Sequence, residues 1–325
     1  MPIVKSDFSP TLPFKNGHFN TMYRPLFMKD TCKYDRKRIS TWDDDFIDLD
    51  FSFVGGNTLI LLIHGLEGSS DSKYIAANCN HLNSAGLDTV CFNLRSCSGE
   101  DNLLLTTYHS GKTEDVDFVV NHLAENYNYT NIVIVGFSLG GNLTLKYLGE
   151  YHNKIPSIVK GGIAVSVPVD IATAEKEMEK LKNKLYLEIF FKTMKNKILE
   201  KAYKFPSYHL DKEKLFKATK FIHLEELYTV PVFGFESPQD YWKKASSKPY
   251  LSKIDRPTIL INAKDDTFLS PECYPQKEAI QSEYFYLETP NFGGHCGFMT
   301  SFKAHENKWL EKRIVKFINE TIGVF

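Results

Sequence analysis

The 325-residue chain has few features of a membrane or nucleic-acid-binding protein. It contains no apolar run of about eighteen residues, the length that a transmembrane helix requires, so we expect no stable membrane insertion. The amino terminus lacks the basic start and apolar core of a secretory signal, which predicts a cytoplasmic protein. The net charge is -1, so bulk electrostatics give no attraction to nucleic acid, and we expect no nucleic-acid partner.

Signals for metals and cofactors are also missing. The six cysteines form no Cys-x-x-Cys pair and no zinc-like spacing. No P-loop, dinucleotide fingerprint, His-Glu-x-x-His or EF-hand pattern occurs. We therefore predict that the protein needs no cofactor or metal, and that its cysteines are free thiols in a reducing compartment. The sequence does not reveal an oligomeric state.

What the chain does have is a regular alternation of short apolar runs and amphipathic helical patterns. An extended pair around an acidic turn, within residues 37–53, suits an antiparallel hairpin at a sheet edge. The apolar runs after it are typical of buried parallel strands, and they cover residues 59–63, 89–94, 132–135, 162–167, 258–262 and 284–287. Alternation of this kind predicts an α/β fold with a mostly parallel central sheet flanked by helices.

The rhythm breaks in a lysine-rich helical stretch, which we interpret as an inserted cap. The predicted organisation is a first core part over residues 1–169, a helical cap or lid over 170–250, and a second core part over 251–325. Apolar residues recur at helical spacing in the cap, namely Met178, Leu181, Leu185, Ile189, Phe190, Met194 and Ile198. We expect this stripe to pack on the core; the alternative is a helix that lies on a membrane surface.

The segment that carries chemistry is Asn131–Gly141, an apolar run that ends in Gly-x-Ser-x-Gly and leads directly into a helical pattern. A strand that turns sharply into a helix can lift one side chain out of the backbone, and the glycines permit that turn. This context predicts that Ser138 is a nucleophile. The alternative is a serine that only caps the following helix.

Two further groups complete a nucleophilic site in the order Ser, Asp, His. His295 follows the last apparent strand in a glycine-rich loop and is the predicted base, which would accept the serine proton and return it to the leaving group. Asp265 and Asp266 follow the strand at 258–262, and either could orient the base. We favour Asp266 because of the apolar pair Phe268-Leu269 after it, and we keep Asp265 as the alternative.

The oxyanion hole needs two backbone N–H groups. Leu139, directly after the nucleophile, supplies the first. The loop after the first long strand supplies the second, and we name Leu66, with Glu67 as the alternative. His64 is expected to hold this loop by hydrogen bonding, and structural roles are also expected for three other groups near glycine-containing segments, which are His18, His109 and Cys296.

These residues lie in motifs that resemble the YheT-like family of α/β-hydrolases, a bacterial group related to ABHD-type lipid hydrolases and to EMB8-like plant proteins. The matching segments are His18–Met22, His64–Tyr74, Asn93–Glu100, Tyr108–Gly111, Gly136–Asn142, Ala245–Leu251 and Gly293–Phe298. Two positions depart from the family pattern: Ser96 replaces a glycine, which puts a turn near the pocket in doubt, and Asn20 stands where glutamine is common. The resemblance implies an α/β-hydrolase fold and hydrolysis of carboxylic esters.

The sequence thus predicts a serine carboxylesterase that acts through an acyl-enzyme on a small-molecule or lipid-like acyl ester. A thioesterase or a lysophospholipase-like acyl hydrolase would use the same residues, as would a perhydrolase side activity. A non-catalytic binding protein with the same fold is the alternative of a different class, and it would show a blocked pocket or misaligned side chains.

Overall fold

The structure is a computed structural model that describes residues 2–324. Its centre is a nine-stranded sheet with the order β1-β9-β8-β7-β6-β4-β5-β3-β2. The strands are β1 (Ile3–Val4), β2 (Asp35–Ser40), β3 (Phe46–Ser52), β4 (Thr58–Ile63), β5 (Asp88–Asn93), β6 (Asn131–Phe137), β7 (Val159–Val165), β8 (Thr258–Ile261) and β9 (Phe285–Glu288).

The sheet is mostly parallel, as the sequence predicts. Within residues 2–324, the β2–β3 and β3–β5 pairs are antiparallel, and the other neighbouring pairs are parallel. The β2–β3 hairpin lies at one edge of the sheet, in agreement with the antiparallel hairpin predicted within residues 37–53. The two-residue strand β1, at the opposite edge, is not predicted by any sequence pattern. The mostly parallel sheet with helices around it confirms the predicted α/β fold class.

In the described part of the chain, twelve α-helices and several shorter turns surround the sheet. The helices are α1 (Gly17–Phe27), α2 (Lys73–Ser84), α3 (Thr113–Asn126), α4 (Leu139–Glu150), α5 (Ile171–Met178), α6 (Lys184–Lys204), α7 (Lys212–Lys217), α8 (Phe221–Leu224), α9 (Val230–Phe233), α10 (Pro238–Ala245), α11 (Gln276–Gln281) and α12 (Trp309–Phe317). The shorter pieces are 3-10 turns at Leu181–Asn183, Lys248–Lys253, Pro271–Cys273 and Ala304–Glu306, and π turns at Glu225–Thr229 and Ile318–Ile322.

Two apolar cores cover the faces of the sheet. In β4, Leu59, Leu61 and Ile63 pack with α3 and α4, whereas Ile60 and Leu62 pack with α2 and α12. Successive side chains of a strand point to opposite faces, and all five are fully buried. This two-sided burial is the physical reason that the strands read as continuous apolar runs rather than as alternating ones.

The chain between β7 and β8 carries helices α5 to α10, which have an apolar cluster of their own. The helical spacing predicted one stripe facing the core, and this expectation is only partly right. Phe190, Met194 and Ile198 do turn inward, but a 3-10 turn interrupts the helix, and three members of the stripe stay exposed: Leu181 (84%), Leu185 (60%) and Ile189 (52%).

The division of the chain into two core parts and a cap stays a prediction. Across residues 2–324, none of the helices combines the length and the apolar character that crossing a membrane requires.

Candidate active site

Ser138 lies at the junction of β6 and α4, at the carboxyl edge of the sheet. Its φ is 54°, a left-handed conformation that a non-glycine residue rarely adopts. Two glycines make the turn possible. A Cβ on Gly136 would lie 2.2 Å from the carbonyl oxygen of Gly140, and one on Gly140 would lie 2.3 Å from that of Ile63. The motif therefore allows strand and helix to approach closely while the serine side chain projects outward.

A hydrogen-bonded chain of three side chains starts at Ser138. Its Oγ lies 2.9 Å from Nε2 of His295, and Nδ1 of His295 lies 2.8 Å from Oδ2 of Asp266. The other oxygen of Asp266 accepts the backbone N–H of Phe268 at 3.0 Å, and the Phe268 ring packs on the imidazole with centroids 4.3 Å apart. With Nδ1 donating to Asp266, Nε2 is free to accept the Ser138 proton.

Asp265, the alternative to Asp266, points elsewhere. Its Oδ1 accepts the backbone N–H of Gly294 at 2.9 Å, so it contacts the loop that carries His295 but not the imidazole. Burial raises the pKa of Asp265 to about 6. Adjacent aspartates thus hold the same loop at two different points.

The His295 loop is also held by α1 and by β7. The hydroxyl of Thr21 accepts the backbone N–H of His295 at 2.8 Å, and the side chain of Asn20 binds both the N–H and the carbonyl of Met299. Ser166, just after β7, accepts the N–H of Cys296 at 2.9 Å. No spacing or composition in the sequence indicates these supports, although Asn20 and Thr21 lie in the His18–Met22 segment of the family resemblance.

The loop Gly65–Gly68, which follows β4, is organised by His64. Burial lowers the pKa of His64 to about 4, so the ring is neutral at ordinary pH. Its Nε2 accepts the backbone N–H of Leu94 at 3.1 Å, which puts the proton on Nδ1, and Nδ1 donates to the carbonyl of Gly65 at 2.7 Å. The N–H of Gly68 donates to that carbonyl as well, at 3.0 Å.

These contacts decide which amide of the loop is available. The N–H of Gly65 donates to Tyr74 at 2.9 Å, and the N–H of Glu67 donates to Tyr108 at 3.0 Å. Among the contacts of residues 2–324, the N–H of Leu66 has no acceptor. In a trans peptide the N–H points opposite to the carbonyl, so fixing the Gly65 carbonyl also fixes the direction of the Leu66 N–H. The geometry therefore favours Leu66 over Glu67 as the second donor, beside Leu139.

A cavity of about 550 Å³ opens above these groups, within the size range of small-molecule sites. Ser138 and His295 lie in its floor. Its walls are largely apolar, and the chain between β7 and β8 contributes many of the apolar residues, including Met178, Phe190, Met194, Ile198, Phe221 and Leu224. Polar wall residues are fewer, among them Glu175, Lys197, Glu225 and Tyr241. The arrangement suits a ligand with an apolar portion and one reactive polar group.

Three other candidates, His109, His18 and Cys296, make packing or hydrogen-bond contacts that fit the structural roles expected of them. The ring of His109 packs edge-on against Phe233, Phe235 and Tyr241, and burial lowers its pKa to about 3. Nδ1 of His18 lies 3.2 Å from the hydroxyl of Tyr186. Cys296 is buried, which raises the pKa of its thiol. Nowhere in residues 2–324 do three or more His, Cys, Asp or Glu side chains gather in a way that could hold a metal ion.

Comparison with known proteins assigns the family. The model of the alpha/beta hydrolase fold matches residues 58–302, so the chain belongs to the α/β-hydrolase fold family. The chain is 30% identical over 316 residues to the Escherichia coli (strain K12) protein "Putative esterase YheT". The aligned region covers 95% of this chain and 92% of that protein. The predicted membership in the YheT-like group is therefore confirmed.

Two further similarities extend this assignment. "Phospholipase ABHD3" of Homo sapiens is 27% identical over 331 residues, covering 99% of this chain and 80% of that protein. The esterase Pf2001 of Pyrococcus furiosus has a TM-score of 0.58 at 17% identity, covering 89% of this chain and 93% of that structure, which shows likeness of fold. The family and the relatives named esterase YheT and phospholipase ABHD3 support a hydrolase.

Proposed function

We propose that the protein is a serine hydrolase that cleaves carboxylic esters through an acyl-enzyme. Ser138 Oγ attacks the acyl carbonyl carbon while His295 Nε2 takes the hydroxyl proton, and Asp266 stabilises the resulting imidazolium. The carbonyl oxygen becomes an oxyanion that accepts the N–H groups of Leu66 and Leu139. The oxyanion then collapses and breaks the ester C–O bond, while His295 protonates the departing alkoxide oxygen and the alcohol leaves. Water cleaves the acyl-enzyme by the same steps.

One observation carries this proposal: the unbroken chain from Ser138 through His295 to Asp266, at the floor of an open cavity. A non-catalytic binding protein has no need for a strained serine in hydrogen-bond contact with a histidine that is itself oriented by a carboxylate. The same geometry therefore argues against the binding-protein alternative.

The substrate class follows from the cavity. Its walls are largely apolar and its volume is about 550 Å³, so we propose a small-molecule or lipid-like acyl ester as the substrate. A lysophospholipase-like acyl hydrolase or thioesterase is the second candidate, because apolar walls suit a long acyl chain and a relative carries the name phospholipase. In either case residues 170–250 act as the cap that shapes the acyl pocket.

The nucleophile is tested with a fluorophosphonate probe. The unmodified protein should be labelled, and Ser138→Ala should not be, because phosphonylation requires the serine oxygen. The matched control is Ser157→Ala, which removes the hydroxyl of an exposed serine and should keep full labelling. Equal labelling of the Ser138→Ala variant would rule out Ser138 as the nucleophile.

The substrate class is tested with a panel of p-nitrophenyl esters, acyl thioesters and lysophospholipids of increasing acyl length. A cavity of this size predicts that kcat/KM rises with acyl length beyond acetyl and then falls when the chain exceeds the pocket. A preference for thioesters over oxygen esters of equal chain length would favour the second candidate.

A further inference from the structure

Lys197 of helix α6 forms an ion pair with the loop Gly65–Gly68, which we call the oxyanion loop. Its Nζ lies 3.0 Å from Oε2 and 3.1 Å from Oε1 of Glu67, and 3.3 Å from Sγ of Cys97. The Glu67 side chain is only 8% exposed and that of Lys197 is 27% exposed. A nearly buried carboxylate needs a charged or hydrogen-bonding partner, and Lys197 supplies a charged one from the segment between β7 and β8.

Glu67 in turn shapes the loop. Its φ is 55°, a conformation that persists in a non-glycine residue only when the surroundings hold it. Tyr108 holds Glu67 at two points, since its hydroxyl accepts the Glu67 N–H at 3.0 Å and donates to Oε1 at 2.6 Å. Burial, followed by the charge of Glu67, raises the pKa of Tyr108 well above its ordinary value, so the hydroxyl keeps the proton that it donates.

The structure assigns Lys197 as a positioning residue for the Leu66 amide: by pairing with Glu67, it keeps the Gly65–Gly68 loop in the conformation that points this N–H at the oxyanion. This inference rests on the proposed function. Lys197 acts through Glu67 and Tyr108, and we give it no contact with the substrate.

The physical reason is the sequence of contacts. Without Lys197, the Glu67 carboxylate loses its charged partner. Turning toward water then lowers its free energy, because water can solvate the charge. That movement breaks the bond from Tyr108 to Oε1 and loosens the loop on the carboxyl side of Leu66. His64 still holds the Gly65 carbonyl, and with it the orientation of the Gly65–Leu66 peptide. The Leu66 N–H is therefore not lost, but its position relative to Ser138 becomes less tightly fixed. Since loss of a whole oxyanion donor costs about 100- to 1,000-fold in kcat, we expect about 10- to 100-fold.

The test is Lys197→Met, which keeps the length of the side chain and removes its charge. Helix α6 should stay in place, because the buried Lys201 binds Asp101 and the carbonyl of Leu104, each at 2.7 Å. We expect kcat for p-nitrophenyl butyrate to fall about 10- to 100-fold, with KM changed less than about threefold. The control is Lys192→Met, which removes an equal charge from an exposed position of α6. Lys197→Arg should recover part of the lost kcat.

A double-mutant cycle with Glu67→Gln asks whether Lys197 acts through Glu67. Glu67→Gln should lower kcat by a similar factor, and adding Lys197→Met to it should lower kcat little further. Amide hydrogen exchange by mass spectrometry gives a readout that needs no substrate: the peptide covering residues 64–68 should exchange faster in Lys197→Met than in Lys192→Met. If Lys197→Met fails to fold, Glu67→Gln alone tests the ion pair through the same two readouts, kcat and amide exchange.

Three results would overturn the inference. The first is a kcat of Lys197→Met equal to that of Lys192→Met. The second is a raised KM at unchanged kcat, which would make Lys197 a substrate-binding residue. The third is a double variant in which the separate losses of kcat from Lys197→Met and Glu67→Gln multiply, which would mean that the two residues act independently. Failure of the proposed function looks different, because then the fluorophosphonate probe would not label Ser138 in the unmodified protein.

Discussion

Replacing Glu225 by glutamine should reduce, by on the order of 2–3 kcal/mol, a fall in stability that we expect in the unmodified protein between pH 5 and pH 8. Glu225 is 5% exposed and faces Glu175 across the wall of the cavity. Both of its oxygens accept the indole N–H of Trp242, at 2.9 and 3.1 Å. Two buried carboxyl groups that lie close together cannot both ionise cheaply, so the pair retains a proton at a pH where isolated glutamates would lose it.

The sign follows from the pKa values. Burial raises the pKa of Glu225 to about 7 from an ordinary 4.5, and burial raises that of Glu175 as well. Between these limits the folded state binds more protons than the unfolded state, so stability falls as pH rises and is lowest above the folded-state pKa. For Glu225 the difference amounts to on the order of 3 kcal/mol, of which on the order of 2–3 kcal/mol falls between pH 5 and pH 8.

Glutamine imitates the protonated acid. Its carbonyl oxygen can accept the Trp242 N–H, its amide can donate to Glu175, and it does not titrate. Urea unfolding followed by far-ultraviolet circular dichroism at pH 5, 6, 7 and 8 gives the free energy of unfolding at each pH. The control is Glu226→Gln, which neutralises an exposed neighbour and should keep the slope of the unmodified protein. A Glu225→Gln variant with that same slope would refute the reasoning.

Two other changes test the supports around the site. Arg95 has a fully buried side chain that pairs with Asp45 and Asp115, each at 2.8 Å, so Arg95→Ala should lower the free energy of unfolding by about 3–5 kcal/mol; a loss below about 1 kcal/mol in urea would contradict this. Thr21→Val keeps the side-chain shape but leaves the His295 N–H without its acceptor, which should lower kcat by roughly tenfold. Thr21→Ser should restore it, and an unchanged kcat in Thr21→Val would show that α1 does not position the base.

Local sequence patterns predicted much of the fold and the positions of the candidate site residues. The strands are continuous apolar runs because the sheet is covered on both faces, and the helical pattern at Thr113–Asn126 is α3. The nucleophile, acid and base were placed by the same logic, since parallel strands bring their carboxyl ends to one edge and the loops after β6, β8 and β9 must meet there. Their catalytic roles stay a proposal.

Contacts between distant residues could not be predicted in this way. Thr21 and His295 are 274 positions apart, and Lys197 and Glu67 are 130 apart. No periodicity encodes either pair, because both depend on how helices pack after the sheet has formed. The exposure of Leu181 and Leu185 was not predicted for a related reason. Helical spacing shows which residues share one face of a helix, but not whether that face packs against the rest of the protein.

One departure from the family pattern has a local explanation. Ser96, which stands where glycine is usual, adopts a φ of 62°, and its hydroxyl donates to Asp101 at 2.7 Å. A left-handed backbone favours glycine, so the side-chain hydrogen bond offsets part of the cost of serine at this turn. Asp101 also pairs with Lys201, so the turn is tied to α6.

The two halves of the proposed machinery are therefore supported by different parts of the chain. The His295 loop is held by Thr21 on α1, whereas the oxyanion loop is held by Lys197 on α6, between β7 and β8. Thr21→Val should impair both the proton transfer from Ser138 and its return to the leaving group. Lys197→Met should impair only stabilisation of the oxyanion. Alkoxide leaving groups of decreasing basicity need less protonation, so they should rescue Thr21→Val more than Lys197→Met. Equal rescue of the two variants would mean that the supports are not independent.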